Sequence, residues 1–163
     1  MIRLEEALRL LGEARVEFIV VGGAAAIAHG SSRLTNDLDI VYSRRADNID
    51  RLARALSPVK PYLRGAPPGL PFRWDPATIS RGLNFTLTTE LGDLDVLGEI
   101  AGGGGYEALL PHSPELSAFG TGFRCLNLET LIHVKRAAGR PKDLEAIAEL
   151  EAILEEQHGH RPE

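Results

Sequence analysis

"VVGGAAAIAHGSSRLTNDLDIVYS", residues 20–43, sets an apolar run against a glycine pair, then places Asp37 and Asp39 at the head of a second apolar run. An unpaired charge in a low-dielectric interior is costly, so a strand of this kind needs something to compensate two carboxylates. Spaced by two on a strand, both side chains project from the same face. At that distance they repel and raise each other's pKa unless a cation sits between them. Magnesium, bound through oxygens and shared with substrate phosphates, is the natural cation for the pair. Gly22-Gly23 stands between a predicted strand and a predicted helix, where it brings backbone amides and a helix N-terminus against an anionic group. Ser31, Ser32, Arg33 and Thr35 supply further donors just upstream of the acids. A third carboxylate recurs in "GDLDVLG", residues 92–98, where Asp95 has an apolar context much like that of Asp39. Asp93 lies nearer the turn; the choice between the two stays open, with Asp95 preferred for its depth in the strand. Three carboxylates, a phosphate cradle and a dry core make a two-metal phosphoryl-transfer site.

The flanking sequence supplies the frame. Leu4, Ala7, Leu8 and Leu11 share one face of a helix over 2–14, and "VEFIVVG" (16–22) reads as a central strand buried on both faces. A short helix over 24–30 closes at Gly30, a strand follows over 38–43, and a helix over 46–57. Residues 58–76 hold six of the ten prolines and read as an irregular excursion. It is either a substrate loop with Phe72 and Trp74 as a stacking surface or a packed lid. "LNFTLTT" (83–89) and "DLDVLGEI" (93–100) predict a hairpin, and the glycines at 102–105 a hinge or loop. A second hairpin over 116–126 turns at Gly120-Thr121-Gly122, and helices over 127–138 and 141–156 are broken at Gly139. This order predicts one α/β domain over 1–157, a mixed β-sheet flanked by helices with two C-terminal helices, and a flexible tail at 158–163.

The 163 residues suit a single hydrophobic core. A net charge of -5 argues against a protein that coats nucleic acid, though a small basic pocket can sit inside an acidic shell. The lone Cys125 forms no internal disulfide and reads as a packing residue. No apolar leader follows Met1 and no run is long enough to span a membrane, so the expected compartment is the cytoplasm. His29, His112 and His133 read as packing or surface residues, and His158 and His160 as part of the tail.

The set "VGG…RLTNDLDIV" resembles the signature of the DNA polymerase beta-type nucleotidyltransferase superfamily. That signature is a strand ending in Gly-Gly or Gly-Ser, a spacer, Asp-hydrophobic-Asp, and a third Asp on a later strand. Arg-x-Thr-x-Asp-hydrophobic-Asp is similar to small bacterial branches: minimal, aminoglycoside or lincosamide nucleotidyltransferases, and toxin-type enzymes of the AbiEii kind. "KRAAGRPKDLEAI", residues 135–147, resembles the Lys…Arg-x-Lys-Asp segment that follows the core in those branches.

The resemblance implies transfer of a nucleoside monophosphate from an NTP to a hydroxyl, with pyrophosphate leaving. Gly22 and Gly23 would hold the triphosphate, and Asp37 and Asp39 would ligate two magnesium ions. Asp95 would complete the metal site and help deprotonate the acceptor, and Lys135 would reach the phosphates beside Arg140. Ala24 departs from the pattern by offering no hydroxyl after the glycine pair; Ser31 or Ser32 would substitute. Leu131 shares the helix face of Lys135 and would aim it at the pocket mouth; read singly, Lys135 and Arg140 would serve a helix dipole. The acceptor is left open among a small molecule, tRNA and a protein. The alternative is a non-catalytic nucleotide-binding module, or the partner of a cognate toxin or antitoxin, on the same fold.

Overall fold

The computed structural model describes residues 1–159. The chain runs α1 (Leu4–Glu13), β1 (Phe18–Val21), α2 (Gly22–Ala28), β2 (Asp37–Tyr42), α3 (Ala46–Leu56), β3 (Tyr62–Leu63) and α4 (Pro76–Arg81). It continues through β4 (Phe85–Thr89), β5 (Gly92–Leu97), β6 (Glu99–Ile100), β7 (Gly104–Gly105) and α5 (Tyr106–Leu109). The hairpin β8 (Glu115–Ala118) and β9 (Thr121–Arg124) precedes α6 (Leu128–Ala138) and α7 (Pro141–Gly159).

The central sheet has the order β1-β2-β5-β4-β3. Its one parallel pair is β2 with β5, and the others are antiparallel, so the sheet is mixed as expected. Burial explains the pattern. All four residues of β1 are buried, whereas β2 alternates at its start, with Leu38 and Ile40 fully inside and the two aspartates only partly covered. Ala7, Leu8 and Leu11 of α1 and Leu131, Ile132 and Val134 of α6 turn inward onto this core. Local chemistry fixes the ends of α6. The Asn127 side chain accepts from the Thr130 amide at 2.9 Å, and Gly139 stops the helix in the left-handed region at φ 68.

Three connections differ from the sequence reading. The second hairpin turns at Phe119 (φ 53) and Gly120 (φ 75), because a type I′ turn needs both central residues at positive φ; Thr121 and Gly122 are already paired strand. The glycines at 102–105 are no free hinge. Gly104 and Gly105 pair with Ile100 and Glu99, and Gly102 packs so closely on α6 that a Cβ there would lie 2.4 Å from that of Ala137. The proline-rich excursion carries the edge strand β3 and a row of rings. Tyr62 meets Phe72 edge-on at 6.0 Å and Trp74 meets Phe85 at 5.5 Å, and Phe72 and Trp74 pack on the core. Where a tail was expected from 158, His158 and Gly159 continue α7; residues 160–163, with His160, lie outside the described residues. No described helix is long and apolar enough to cross a membrane.

Candidate active site

The parallel pairing of β2 with β5 sets Asp37 beside Asp93 and Asp39 beside Asp95. Ligand oxygens of Asp37, Asp39 and Asp95 all lie within 4.8 Å of one another, a group that leaves Asp93 out. Of the two candidates for third acid, Asp95 is the one that lies with the pair.

Asp39 is the most constrained member. Its Oδ1 is buried without a hydrogen-bond partner. Burial, then the charges of Asp37 and Asp95, push its pKa up to about 8, with Lys135 pulling the other way. Alone, this carboxyl would hold a proton at neutral pH. A divalent cation with a preference for oxygen ligands would satisfy the orphaned atom and relieve the repulsion, so the donor set fits magnesium.

The glycine pair belongs to the same construction. Gly22 sits at φ 66, and a Cβ there would lie 2.2 Å from Asp39 Oδ2; at Gly23 it would lie 2.8 Å from Thr35 Oγ1. A side chain at Gly22 would push into Asp39 on β2, and one at Gly23 into Thr35 just before it. Thr35 in turn donates through Oγ1 to the Asp37 carbonyl at 2.9 Å and faces Asp37 Oδ1 at 3.3 Å, fixing the head of β2.

Cations close the site from other elements. Lys135 follows the fully buried Leu131 by one turn of α6 and is half-buried beside the acids, where burial lowers its pKa and Asp143 and Asp39 oppose that. Arg140 Nε donates to Asp143 Oδ2 at 2.7 Å. Burial alone would raise the Asp143 carboxyl, but the hydrogen bonds from Arg140 outweigh it and hold it below the usual range.

The predicted donors at 31–33 have another partner. Ser31 Oγ donates to Glu149 Oε1 at 2.5 Å, Ser32 Oγ to Oε2 at 3.0 Å, and Arg33 Nε stands 3.9 Å from Oε1. Glu149 lies on α7, so these residues tie α7 to the loop after α2. Ser31 and Arg33 still line the cleft above the acids; Ser32 does not.

Sequence reasoning missed Arg64, the residue directly after β3. Its Nη2 donates to Asp95 Oδ1 and to the Leu87 carbonyl, both at 2.8 Å. Its Nε stands 3.3 Å from Asp93 Oδ2, an ion pair without hydrogen-bond alignment. Only the basic character of "YLRG" signalled it. With Arg33, Lys135, Arg140 and Lys142 it sets five cations against the five carboxylates of Asp37, Asp39, Asp95, Asp143 and Glu149 in a cleft of ≈ 470 Å³.

The remaining candidates are structural. His29 Nε2 lies 2.8 Å from the Leu126 carbonyl, and burial pushes the Cys125 thiol up to about 12. Phe72 and Trp74 do not line the acid cleft.

No protein-family model matches the sequence, and no curated protein does. Solved structures do. The lincosamide antibiotic adenylyltransferase LnuA, with lincomycin bound, superposes with a TM-score of 0.62 at 18% identity, over 93% of this chain and 96% of that one. The antibiotic-resistance factor ANT(2'')-Ia gives 0.50 at 15% identity, over 98% and 96%. A Thermotoga maritima protein assigned as a nucleotidyltransferase gives 0.51 at 18% identity, over 96% of each chain. At such identities the likeness shows the fold, and it extends over nearly the whole length of each chain.

Proposed function

We propose that this chain moves a nucleoside monophosphate from an NTP to a hydroxyl acceptor. The observation that carries the reading is the buried, unpartnered Asp39 Oδ1 within a converging group of three carboxylates, facing a cleft with five cations. A fold shared with an adenylyltransferase supports it.

Asp37, Asp39 and Asp95 would hold magnesium, which when bound neutralises phosphate charge and makes the acceptor hydroxyl more acidic. Gly22 and Gly23 keep the floor of the cleft free of side chains, so that a triphosphate can approach the backbone. Lys135, half-buried and directed by its helix, offers its ammonium to the phosphates, whose charge grows on the leaving pyrophosphate. Arg140, clamped by Asp143, adds a second cation in a fixed orientation. Arg64 fixes Asp95 Oδ1, leaving the carboxylate placed to take the acceptor's proton. In the transfer the acceptor oxygen bonds to the α-phosphorus as the bond to pyrophosphate breaks. The leaving oxygen keeps the electron pair, and the hydroxyl proton passes to Asp95.

An antibiotic adenylyltransferase and an antibiotic-resistance factor among the structural neighbours favour a small-molecule acceptor over tRNA or a protein. They lend no weight to a toxin–antitoxin role. Pyrophosphate release from a mixture of NTPs and magnesium with pooled hydroxyl compounds tests the reading. The wild type should release it in an acceptor-dependent way and Asp39→Ala should fall to background; equal release from both would overturn the assignment.

A further inference from the structure

A separate cleft of ≈ 400 Å³ shares no lining residue with the acid site and carries His112, Glu129 and His133. Glu129 and His133 are one turn apart on α6, so both side chains leave the same face of the helix. His112 ends the single turn Leu110–His112 that follows α5. Its carbonyl accepts from the Asn127 amide at 2.7 Å, which fixes that turn against the start of α6. A third histidine comes from α7: His158 Nε2 stands 3.7 Å from Glu129 Oε1. The other polar liners are Asn127, whose side chain caps α6, and Thr130; no lysine or arginine lines the cleft. His112, Glu129, His133 and His158 are all exposed, and among the described residues no hydrogen bond or ion pair engages the ring of His112 or His133.

Three imidazoles and one carboxylate differ in kind from the all-oxygen set of the acid site. Oxygen donors suit magnesium, whereas imidazole suits transition ions such as zinc. A helix with ligands at i and i+4 presents both to one ion, as paired histidines do in zinc proteins. Zinc takes nitrogen and oxygen at about 2.0–2.2 Å in tetrahedral geometry, which sets neighbouring ligand atoms about 3.4 Å apart. The separation of Glu129 from His158 is already near that value. Their ion pair exists only while His158 carries a proton, and a metal ion takes the proton's place. The remaining donors are not yet gathered, since among the described residues only the acidic group has three ligand atoms within 4.8 Å. Binding therefore turns exposed side chains inward at a cost in rotamer freedom.

We propose that His112, Glu129 and His133 bind a zinc-like transition ion, with His158 as the fourth ligand. The inference is independent of the nucleotidyl-transfer reading. The ion ties the turn after α5 and the end of α7 to α6, the helix that also carries Lys135.

Zinc titrated into isotope-labelled full-length protein, without nucleotide, tests this through the histidine ring resonances and a thermal melt. Zinc should shift the rings of His112, His133 and His158, leave that of His29 in place, and raise the melting temperature. Magnesium at the same concentration should leave all four rings unmoved. Glu129→Gln and His133→Ala should each weaken zinc by on the order of tenfold, about 1.4 kcal/mol. Without metal both should melt as the wild type does, because both positions are exposed. Should either melt lower, His112→Ala, on another element, carries the same expectation. Asp37→Asn should bind zinc at these rings as the wild type does. Zinc that ignores His112→Ala and His133→Ala but follows Asp37→Asn sits on the carboxylates of the acid site. Zinc that follows His158→Ala alone sits at the end of the chain. Either result overturns the assignment, and so do rings that stay unmoved in excess zinc.

Discussion

Residues 20–43 and residues 58–76 both deliver chemistry to the same three carboxylates, yet they do so by opposite means. The first segment is self-contained. Val21 pairs with Asp39, Gly22 makes room for its carboxylate, and Thr35 fixes Asp37 two residues on. The second has no such closure. Arg64 reaches Asp95 only because β3 pairs with β4 and β4 with β5, a chain of contacts spanning thirty-one positions. A site assembled from local constraints leaves a trace in the sequence; one assembled through sheet order leaves almost none.

If the first segment and its helical cation form the working centre, the largest loss after the acids belongs to Lys135. Lys135→Ala should lower turnover on the order of a hundredfold, as expected for one preorganised charge stabiliser. Its melting temperature should hardly fall, because burial already opposes the charged form of this lysine. Pyrophosphate release at saturating NTP beside a thermal melt checks both. Full activity would make the lysine a surface cation and the likeness at 135–147 a coincidence.

The excursion should matter less, and in another way. Arg64 donates to Asp95, a carboxylate of the proposed metal site, and partners of metal ligands typically carry 10–100-fold in affinity or rate. Arg64→Ala should therefore cost on the order of tenfold, expressed chiefly as a higher magnesium requirement, with Arg64→Lys recovering part of it. A loss equal to that of Lys135→Ala, independent of magnesium, would erase the distinction between the two segments.

Legibility follows the same line. The strand–glycine–helix–strand order, the acid pair and the third acid could be read because carboxylates in apolar strands demand an explanation within a few residues. The mixed sheet followed from hydrophobic patterning. The second hairpin slipped because positive φ at Phe119 is not something a phenylalanine advertises. The donors at Ser31 and Ser32 were legible as donors; that Glu149 takes them, more than a hundred positions away on α7, was not.

The smallest predicted effect is thermodynamic and concerns Asp39 without metal. Its folded pKa of about 8 lies above the ordinary 3.8, so between those values the folded protein holds a proton that the unfolded chain has lost. Stability at this group is therefore lost as pH rises from about 4 to about 8, the reverse of a salt-bridged carboxylate. With chelator present, Asp39→Asn should melt above the wild type by on the order of 5 °C at pH 8, the gap closing toward pH 5. A gap that does not depend on pH would show that Asp39 is ionised and already compensated within the protein.

The central claim is that the converging acids bind metal together with nucleotide, and melting in the presence of a non-hydrolysable NTP analogue addresses it without any knowledge of the acceptor. Magnesium and analogue together should raise the melting temperature of the wild type through binding to the native state, neither alone should match them, and Asp37→Asn should abolish the combined shift. The same shift in Asp37→Asn as in the wild type would mean that the nucleotide is held elsewhere and that the carboxylates of β2 and β5 are not its metal site.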